Sequence, residues 1–574
     1  MPSMAEVITQ VFGPGGALEI GVEDVLGVPT QAYKQRMRSL RELIAQNSSR
    51  PDVTFLVQGD RRLTYSEHDQ AALAVAHALS TLGVHHGDRV AIVSANTPEW
   101  VITFWACAAI GAVCVPLNAW QKSEELQFAL EDSGSKVVIA DRKRLDLLLP
   151  VLDELPAVEH VFLAGDAPRA GETRVEKFDV LLGDGSPAPM PTTPIDEDDI
   201  LAILYTSGTT GRPKGATITH RQTIANLQNI TATAVVQVMA GTMDAPSGDG
   251  PQDAALLVVP LFHVTGCLAT MVVNYATGAK LVLMPPGRFD PDNAMATIEA
   301  ERVTSIGGVP TIMWRIIESP NFDQYDLSSV RLASYGGAPA APELVERIEQ
   351  AFPNLRKTLT TAYGLTETAS VATALGGDDY FAHPTSCGRP VPTVELQIRD
   401  EQRREVPRGE QGEIWLKGPT IMLRGYWNRP EVNAEVLVDG WFRTGDIAKQ
   451  DAEGFVYIVD RAKDMIIRAG ENIYCVEIEN VLYEYPGVMD AAVIGVPHTV
   501  LGEEVKAVVH LKPGASVTAD QLRDHCRAHL ADFKVPEYVE FRDEPLPRNP
   551  AGKVLKAALR GADTAFAASD DQAL

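Results

Sequence analysis

The feature that most constrains the fold is an alternation of short apolar runs with stretches of helical periodicity. The apolar runs lie at residues 89–93, 136–140, 160–163, 255–260, 280–284 and 331–334. Helical periodicity is clearest over residues 66–82, ahead of the first run. Short buried strands that alternate with helices are typical of βα units, whose sheets are largely parallel. We therefore predict one large α/β domain over residues 1–459, with two parallel-type sheets flanked by helices.

The pattern changes in the last third of the chain. Residues 390–459 contain short β-like pieces separated by turns, which predicts a small β-subdomain. Helical and strand patterns over residues 464–561 predict a separate, small α+β domain. Residues 562–574 have the composition of a disordered tail, and residues 239–253, rich in Gly, Pro and Asp, that of an exposed loop. A chain of 574 residues exceeds what one hydrophobic core usually supports, so more than one domain is expected.

One stretch has the character of a membrane span. Residues 101–120 are uncharged over about the length that a bilayer requires. Gly111 and Pro116 interrupt this stretch, which is better explained by a buried helix over residues 98–110 followed by a buried strand over residues 112–117. We therefore predict no transmembrane segment.

The charge and the cysteines restrict the partners and the location. With 76 acidic and 50 basic residues, the formal net charge is −26 at pH 7. Nucleic acids are bound by basic patches that displace counterions, so we predict no nucleic-acid partner. The cysteines lack CxxC spacing, which favours reduced thiols in a cytoplasmic protein over disulfides or a zinc site. They are Cys107, Cys114, Cys267, Cys387, Cys475 and Cys526. We recognise no targeting signal at either end.

The richest local motif is YTSGTTGRPKG at residues 205–215, directly after an apolar run. Glycines let several N–H groups face one point, hydroxyls add donors and a lysine adds charge, as a polyphosphate requires. A Walker A loop has Gly-Lys followed by Ser or Thr, whereas here Pro213 precedes the lysine and Gly215 follows it. The candidate ATP-binding residues are Thr206, Ser207, Gly208, Thr209, Thr210, Gly211 and Lys214.

With this loop the chain resembles the adenylate-forming superfamily, which includes acyl-CoA synthetases, firefly-type luciferases and peptide-synthetase adenylation domains. The resemblance covers nearly the whole chain, its motifs occur in order, and the branch of fatty-acyl-CoA ligases is the most similar. It implies ATP and Mg²⁺ as cofactors and coenzyme A as co-substrate. It also implies a reaction in which a carboxylic acid is first converted to an acyl-adenylate and then transferred to a thiol.

Two further motifs resemble those with which the family binds adenosine. SYGGAP at residues 334–339 is similar to the adenine-binding turn, although alone it is also typical of a simple strand-to-helix turn. Its candidate residues are Gly336, Gly337, Ala338 and Pro339. WFRTGD at residues 441–446 is similar to the ribose motif. The resemblance assigns the ribose hydroxyls to Asp446 and Arg461, and a carboxylate suits this role because it accepts several hydrogen bonds.

YGLTET at residues 363–368 is more specific. The resemblance implies that Tyr363 stacks on adenine beside Gly364, that Thr366 bonds the α-phosphate and that Glu367 ligates Mg²⁺. A carboxylate oxygen is the hard ligand that Mg²⁺ prefers. A solvated glutamate is the ordinary alternative for Glu367.

The resemblance extends into the C-terminal part. PRNPAGK at residues 547–553 is similar to the family's catalytic C-terminal motif, so Lys553 is expected to reach the adenylation site. Residues 460–463, with Lys463 as the pivot, correspond to the family's hinge. The following loop is expected to face the site of thioester formation after the small domain swings. Its candidate residues are Arg468, Gly470, Glu471 and Asn472, and it departs from the family pattern at Ala469 and Cys475.

Residues 260–267 and 307–314 match the family segments that line the acyl pocket. Both are uncharged apart from His263, which the family places where the acyl and pantetheine channels meet and which otherwise suits a core position. Amino-acid adenylating members carry an aspartate near here, and none is present. An apolar acid is therefore favoured, most simply a medium- or long-chain fatty acid.

Several alternatives remain open at the level of sequence. Trp314, with the small residues Gly266 and Cys267, also suits an aryl- or steroid-acid CoA ligase. An acyl-AMP ligase that loads a carrier protein would share every motif above. A nucleotide-binding regulator without catalysis is disfavoured because the candidate catalytic residues are retained. The expected partners are small molecules only, and a homodimer is compatible with the sequence.

Overall fold

The computed structural model describes most of the chain. The described residues are 4–47, 49–206, 213–243, 250–287, 289–336, 342–355, 357–461, 464–468, 471–498, 501–549 and 553–561. The predicted tail at 562–574 and the middle of the predicted loop at 239–253 lie outside these ranges. The predicted loop begins later than expected, because Met239 is still the last residue of a helix.

The first sheet has seven strands, and its interior pairs are parallel, as the βα pattern predicts. In spatial order the strands are Lys214–Thr219, Ile200–Thr206, Val113–Pro116, Arg89–Val93, Val137–Asp141, His160–Ala164 and Val175–Lys177. Only the pair of strands at one edge is antiparallel. The helices associated with this sheet are Tyr65–Thr81, Pro98–Ile110, Ser123–Ser133 and Arg142–Leu148.

The second sheet has nine strands, of which the central six are parallel. In spatial order they are Arg389–Pro390, Thr373–Gly376, Leu359–Tyr363, Leu332–Gly336, Ser305–Gly308, Ala254–Leu257, Lys280–Leu283, Thr54–Gln58 and Arg61–Thr64. Its helices are His220–Met239, the π-helix Thr265–Met271, Val272–Thr277, Pro291–Glu301, Pro310–Ile317 and Pro342–Ala351.

The helix Pro98–Ile110 is buried along its whole length. Thr97 accepts a hydrogen bond from the Trp100 N–H at its start, and Gly111 ends it in a left-handed conformation (φ 75°) that glycine adopts without strain. Both ends are therefore encoded locally, and the prediction of a buried helix followed by a strand is confirmed. No helix in the described ranges is both long and apolar enough to cross a membrane.

Two smaller sheets follow, the first antiparallel and the second antiparallel except for the parallel pair of Gly502–Leu511 and Tyr538–Arg542. The first contains Glu395–Arg399, Gln411–Lys417, Leu437–Val438, Trp441–Gln450 and Val456–Arg461. The second lies in residues 464–561, here called the C-terminal region. It contains Ile466–Arg468, Glu471–Ile473, Val488–His498, Gly502–Leu511 and Tyr538–Arg542, with helices Cys475–Tyr483, Ala519–His529 and Lys556–Leu559. The predicted architecture, an α/β part with a β-subdomain followed by a smaller α+β part, is confirmed.

The remaining elements flank these sheets. An N-terminal helix, Met4–Phe12, contacts the helix His220–Met239, and the hairpin of Ile20–Val25 and Val28–Tyr33 follows it. Short helices lie at Arg41–Asn47, Asp378–Ala382 and Pro430–Val436. All six cysteines are free, as expected.

His220 begins the helix His220–Met239 in a fully buried position. Its Nδ1 accepts a hydrogen bond from the Leu40 N–H at 3.2 Å, and its Nε2 has no hydrogen-bond partner within the described ranges. Burial lowers the pKa of His220 from 6.5 to about 4. The side chain is therefore neutral at physiological pH, and its protonation would place a positive charge in the core.

This environment makes the fold sensitive to acid. Because the unfolded chain takes up the His220 proton near pH 6.5 and the folded chain only near pH 4, stability contributed above pH 6.5 is lost as the pH falls to about 4. The loss amounts to about 3 kcal/mol. We expect His220→Asn, which keeps an acceptor for Leu40, to flatten the decrease in melting temperature between pH 6.5 and 4. The exposed control His77→Asn is expected to follow the parent protein, and identical curves for all three proteins would contradict the assignment.

Candidate active site

A large cleft of about 3080 Å³ opens at the carboxyl ends of the parallel strands, and the C-terminal region lies against it. Strand ends such as Gly308, Gly336 and Tyr363 line one side, and Lys553 lines the other. Ligands of α/β sheets bind at this edge, because the loops that leave the strands converge there. The cleft therefore brings residues from distant parts of the sequence to one place.

The predicted phosphate loop joins two antiparallel strands. Thr206 ends the strand Ile200–Thr206 and pairs with Lys214, which begins the next strand. The Thr206 hydroxyl donates a hydrogen bond to the Lys214 carbonyl at 3.3 Å. A Walker A loop leads into a helix instead, so this hairpin does not have the Walker A architecture. Both end residues line the cleft. The predicted residues Ser207, Gly208, Thr209, Thr210 and Gly211 lie outside the described ranges.

A segment that sequence reasoning missed ties this hairpin to the Glu367 turn. The Trp427 N–H donates to the Gly215 carbonyl at 2.7 Å, and the Lys214 ammonium lies 5.5 Å from the centre of the Tyr426 ring. The Tyr426 hydroxyl donates to Glu367 Oε1 at 2.5 Å. Burial, followed by the charge of Glu367, raises the pKa of Tyr426, so its hydroxyl stays a donor at neutral pH. In the sequence only a glycine before two aromatic residues marks this position.

The turn that carries Thr366 and Glu367 is rigid. The Leu365 N–H donates to Thr368 Oγ1 at 2.9 Å. Two non-glycine residues after the turn, Ala369 and Ser370, have positive φ angles of 50° and 107°. Such conformations cost about 1–3 kcal/mol each and persist where the surrounding structure enforces them. Thr366 and Glu367 therefore line the cleft from a turn whose backbone is constrained.

Gly364, just before this turn, is required by close packing. A Cβ on Gly364 would lie 1.4 Å from the carbonyl oxygen of Ser370, which no side chain can tolerate. Its φ angle is not positive, so the need for glycine comes from contact and not from backbone conformation.

The donors around Glu367 fit Mg²⁺. Within the described ranges there is no group of three or more His, Cys, Asp or Glu side chains that could hold a metal. Mg²⁺ does not need one, because it is usually held by one or two carboxylates together with substrate phosphates and water. Glu367 supplies the carboxylate, and one of its oxygens is already oriented by Tyr426.

The predicted ribose pair is brought together at the edge of the antiparallel sheet. Asp446 and Arg461 lie opposite each other on neighbouring strands, with Asp446 Oδ1 2.9 Å from Arg461 Nε. The Tyr363 hydroxyl donates to Asp446 Oδ2 at 2.7 Å. The Asp446 carboxylate raises the pKa of Arg461, and burial together with that carboxylate raises the pKa of Tyr363. The three side chains form one unit that lines the cleft.

The predicted adenine-binding residues begin at Gly336, where the strand Leu332–Gly336 ends. A Cβ on Gly336 would lie 2.7 Å from the Ala362 carbonyl oxygen of the adjacent strand, so this position needs glycine. Gly337, Ala338 and Pro339 lie outside the described ranges.

His263 is half-buried and lines the cleft beside Phe262 and Val264. Its Nδ1 accepts the Thr265 N–H at 3.4 Å. Burial, followed by the positive charge of Lys553, lowers the pKa of His263 from 6.5 to about 4. The imidazole is therefore neutral at physiological pH, and the ammonium of Lys553 lies close enough for their charges to interact.

Lys553 lies in a tight hairpin of the C-terminal region. The Lys553 N–H donates to Asn549 Oδ1 at 2.9 Å, and the Asn549 N–H donates to the Lys553 carbonyl at 2.8 Å. Residues 550–552 between them lie outside the described ranges. This hairpin places the backbone of Lys553 at the cleft.

A buried charge cluster, also missed from the sequence, anchors that hairpin next to the predicted hinge. Lys556 Nζ lies 2.8 Å from Glu479 Oε1, and the Cys475 N–H donates to Asp460 Oδ2. Burial raises the pKa of Asp460 to about 6 against the opposing charge of Lys556. Cys475, which departs from the family pattern, thus contributes its backbone N–H to this cluster.

The structure describes the predicted thioester-site loop only in part. Arg468 pairs in register with Glu471 in a small hairpin, and its side chain contacts Glu504 at 2.7 Å. Gly470 and the predicted pivot Lys463 lie outside the described ranges. Lys553 lines the cleft in this conformation, whereas Arg468 does not.

One part of the cleft, here called the acid pocket, extends from His263 along the nine-stranded sheet. Val264, Val309 and Trp314 give it the apolar lining that the sequence predicts. Gly266 and Cys267 do not line it; Cys267 is buried, and a Cβ on Gly266 would lie 2.2 Å from the Pro260 carbonyl oxygen. These two residues therefore contribute no lining surface of their own, contrary to the expectation that their segment lines the pocket throughout. Sequence reasoning also missed the pocket's polar residues, which include Thr233, Gln237, Thr270, Ser334 and Thr360.

Comparisons with known proteins agree with this geometry. Residues 43–427 match the family model of the AMP-binding enzymes, and residues 477–553 match that of the AMP-binding enzyme C-terminal domain. A feruloyl-CoA synthase from Amycolatopsis sp is 37% identical over 510 residues, which cover 89% of this chain and 96% of that protein. The long-chain-fatty-acid–CoA ligase FadD13 of Mycobacterium tuberculosis is 36% identical over 507 residues, which cover 87% of this chain and 93% of that protein.

Among solved structures, the anthranilate CoA ligase AuaEII in complex with anthranoyl-AMP superposes with a TM-score of 0.81. It is 27% identical in sequence, and the match covers 92% of this chain and 97% of that one.

The contact between Tyr426 and Glu367 predicts a change in metal dependence. Tyr426→Phe removes the donor that orients the Glu367 carboxylate while leaving the ring beside Lys214. A hydrogen bond to a charged group contributes about 1.5–3 kcal/mol, so we expect at least about a tenfold higher Mg²⁺ concentration for half-maximal pyrophosphate release. Tyr457→Phe is the matched control, because Tyr457 donates to Asp451 at 3.1 Å outside the cleft. An equal Mg²⁺ dependence in both variants would contradict the role of Tyr426.

Proposed function

Because this chain belongs to the AMP-binding enzyme family, we propose specific roles for the residues of its cleft. The chain is an AMP-forming acid–thiol ligase, an acyl-CoA synthetase that uses ATP, Mg²⁺ and coenzyme A. The proposal concerns which residues carry the two steps and which acid is activated. The observation that carries it is the convergence of Lys553, His263 and Glu367 on one cleft, although they are far apart in sequence.

In the first step, an oxygen of the acid's carboxylate attacks the α-phosphorus of ATP. The bond between the α-phosphorus and the bridging oxygen breaks, and pyrophosphate leaves. Two anions must approach each other, so the main task of the protein is to neutralise charge. Lys553 lies on the acid side, next to His263, and neutralises the carboxylate and the α-phosphate. Lys214, with Thr206 and the loop at 207–211, neutralises the departing pyrophosphate.

The adenosine and metal contacts orient this reaction. Thr366 bonds the α-phosphate, and Glu367 holds Mg²⁺, which when bound stabilises the negative charge on the phosphates. Asp446 and Arg461 hold the ribose. Tyr363 stacks on adenine, and Gly336, Gly337, Ala338 and Pro339 are the proposed residues of the adenine-binding turn.

In the second step, the thiol sulfur of coenzyme A attacks the acyl carbon. The bond between that carbon and the AMP oxygen breaks, and the thiol proton passes to solvent. We propose that residues 464–561 move as a unit about residues 460–463, with Lys463 as the pivot, against the domain formed by residues 1–459. This movement would replace Lys553 by Arg468, Gly470, Glu471 and Asn472 at the cleft.

The acid proposed is a monocarboxylic acid with an apolar body. Val264, Val309 and Trp314 support this choice, and among the described residues Lys553 is the charged group that acts on His263. A medium- or long-chain fatty acid and an aryl or steroid acid both satisfy this description. The six free thiols support a cytoplasmic location, and a homodimer is compatible with the proposal.

The overall reaction is tested with a panel of acids. Pyrophosphate release is measured with and without coenzyme A on fatty, aryl and steroid acids. We expect release to depend on an apolar acid and a thioester to form only when coenzyme A is present. Pyrophosphate release without any coenzyme A thioester would favour the loading of a carrier protein instead.

The division of labour between the two steps is tested with Lys553→Ala. We expect this variant to lose adenylation by at least about a hundredfold, the effect of removing one electrostatic contact in a transition state. Thioester formation from a pre-made acyl-adenylate should be retained. Lys506→Ala is the control, because Lys506 lies in the same region and pairs with Glu540 outside the cleft. Equal loss of both steps in Lys553→Ala would refute the assignment.

A further inference from the structure

We propose that the acid pocket selects an acid built on a ring that carries a hydroxyl or keto oxygen, in preference to a plain hydrocarbon chain. This inference rests on the proposed function of the cleft as the site of acid activation. The evidence is a row of small and hydroxyl-bearing residues across the floor of the pocket. Two hydroxyls in and beside this row face open space.

The floor of the acid pocket is one face of the nine-stranded sheet. Gly307, Ser334 and Thr360 are paired in register across three adjacent parallel strands. Residues paired in this way point to the same face of a sheet, and neighbouring strands lie about 4.8 Å apart. All three residues line the cleft, whereas Ala333, which points to the opposite face, is fully buried. The floor is therefore short-chained and polar.

The space above Gly307 lies between two hydroxyls. A Cβ built on Gly307 would lie 3.5 Å from Ser334 Oγ and 3.9 Å from Thr270 Oγ1, which is ordinary contact distance. Thr270 comes from the π-helix on the other side of the pocket. The pocket therefore has room for at least one carbon or oxygen atom of a ligand between the two hydroxyls.

Neither of these hydroxyls is used by the protein. Within the described ranges, Ser334 Oγ and Thr270 Oγ1 make no hydrogen bond, whereas other hydroxyls of the pocket are satisfied internally. Thr233 and Thr277, for example, donate to carbonyls of their own helices at 2.8 and 3.0 Å. A hydrocarbon chain would displace water from Ser334 and Thr270 without replacing its hydrogen bonds, which is unfavourable. A ligand oxygen would replace them.

The distance between the row of Gly307, Ser334 and Thr360 and the predicted adenine-binding turn matches the size of a ring. Ser334 precedes Gly336, the start of the adenine-binding turn, by two residues, so the two lie about 7 Å apart along the strand. This is about the span of a six-membered ring with its substituents. An acid whose carboxyl group lies at the level of Gly336 would therefore place the far side of a ring near Ser334 and Thr270.

The test compares three acids: 4-hydroxycinnamic acid, cinnamic acid and decanoic acid. For the unaltered protein we expect kcat/KM, measured by pyrophosphate release, to be about tenfold higher for the hydroxylated ring than for either other acid, the contribution of one hydrogen bond in a dry site. Ser334→Ala and Thr270→Val should each lower kcat/KM for the hydroxylated ring several-fold more than for cinnamic acid, and so remove most of this preference. Thr297→Val is the control, because its hydroxyl donates to Asn293 of its own helix outside the cleft.

Gly307→Ala probes the space itself. The added methyl group meets no atom closer than 3.5 Å, so the fold should tolerate it. It fills the gap between the hydroxyls and should lower kcat/KM for the hydroxylated acid more than for decanoic acid. The inference fails, while the proposed function stands, if kcat/KM is the same for decanoic acid and the hydroxylated acid and Ser334→Ala leaves the ratio of these two values unchanged. If no acid at all supports pyrophosphate release, the proposed function fails and the inference with it.

Discussion

The carboxylate of Asp446 is the contact on which the arrangement of the active site depends. It joins Tyr363 at the end of the nine-stranded sheet to Arg461, which lies in the predicted hinge at residues 460–463. The side chain of Asp446 is almost fully buried, so its charge must be compensated, and Arg461 does so in register on the adjacent strand. Because the Asp446 carboxylate also accepts a hydrogen bond from the Tyr363 hydroxyl, it links the end of the nine-stranded sheet to the strand that leads into the predicted hinge.

Positive side chains concentrated in the cleft explain how an acidic protein can bind polyanions. The chain carries a net charge of −26, yet the cleft contains Lys214, Arg461 and Lys553. Lys214 lies beside an aromatic ring, and Lys553 faces a histidine that burial keeps neutral. The positive charge of Lys553 therefore lies beside a neutral imidazole. These three side chains can attract the phosphates of ATP into the cleft, although the protein as a whole is negatively charged.

The fold could largely be predicted from the sequence, because strand and helix periodicity are local properties. The helix Pro98–Ile110 carries its own start and stop residues, and the glycines at 336 and 364 are needed for backbone contacts within a few residues or one strand. Tyr426, Lys556 and Glu479 could not be predicted, because their importance comes from contacts made across long separations. Tyr426 acts through Glu367, which is 59 residues away. Gly266 shows the opposite error: a small residue in a pocket motif proved to be small because of the backbone beside it.

The strand Leu332–Gly336 shows why chemistry was easier to predict than specificity. Gly336, at its end, belongs to the nucleotide turn, where the neighbouring backbone of Ala362 leaves no room for a side chain. Ser334, two residues earlier on the same face, is the position that we propose contacts the acid. The first position is constrained by the protein itself, whereas the second would be constrained by a ligand that the sequence does not contain. A substitution at Ser334 can therefore change which acid is accepted without disturbing the backbone contact of Gly336, two residues later.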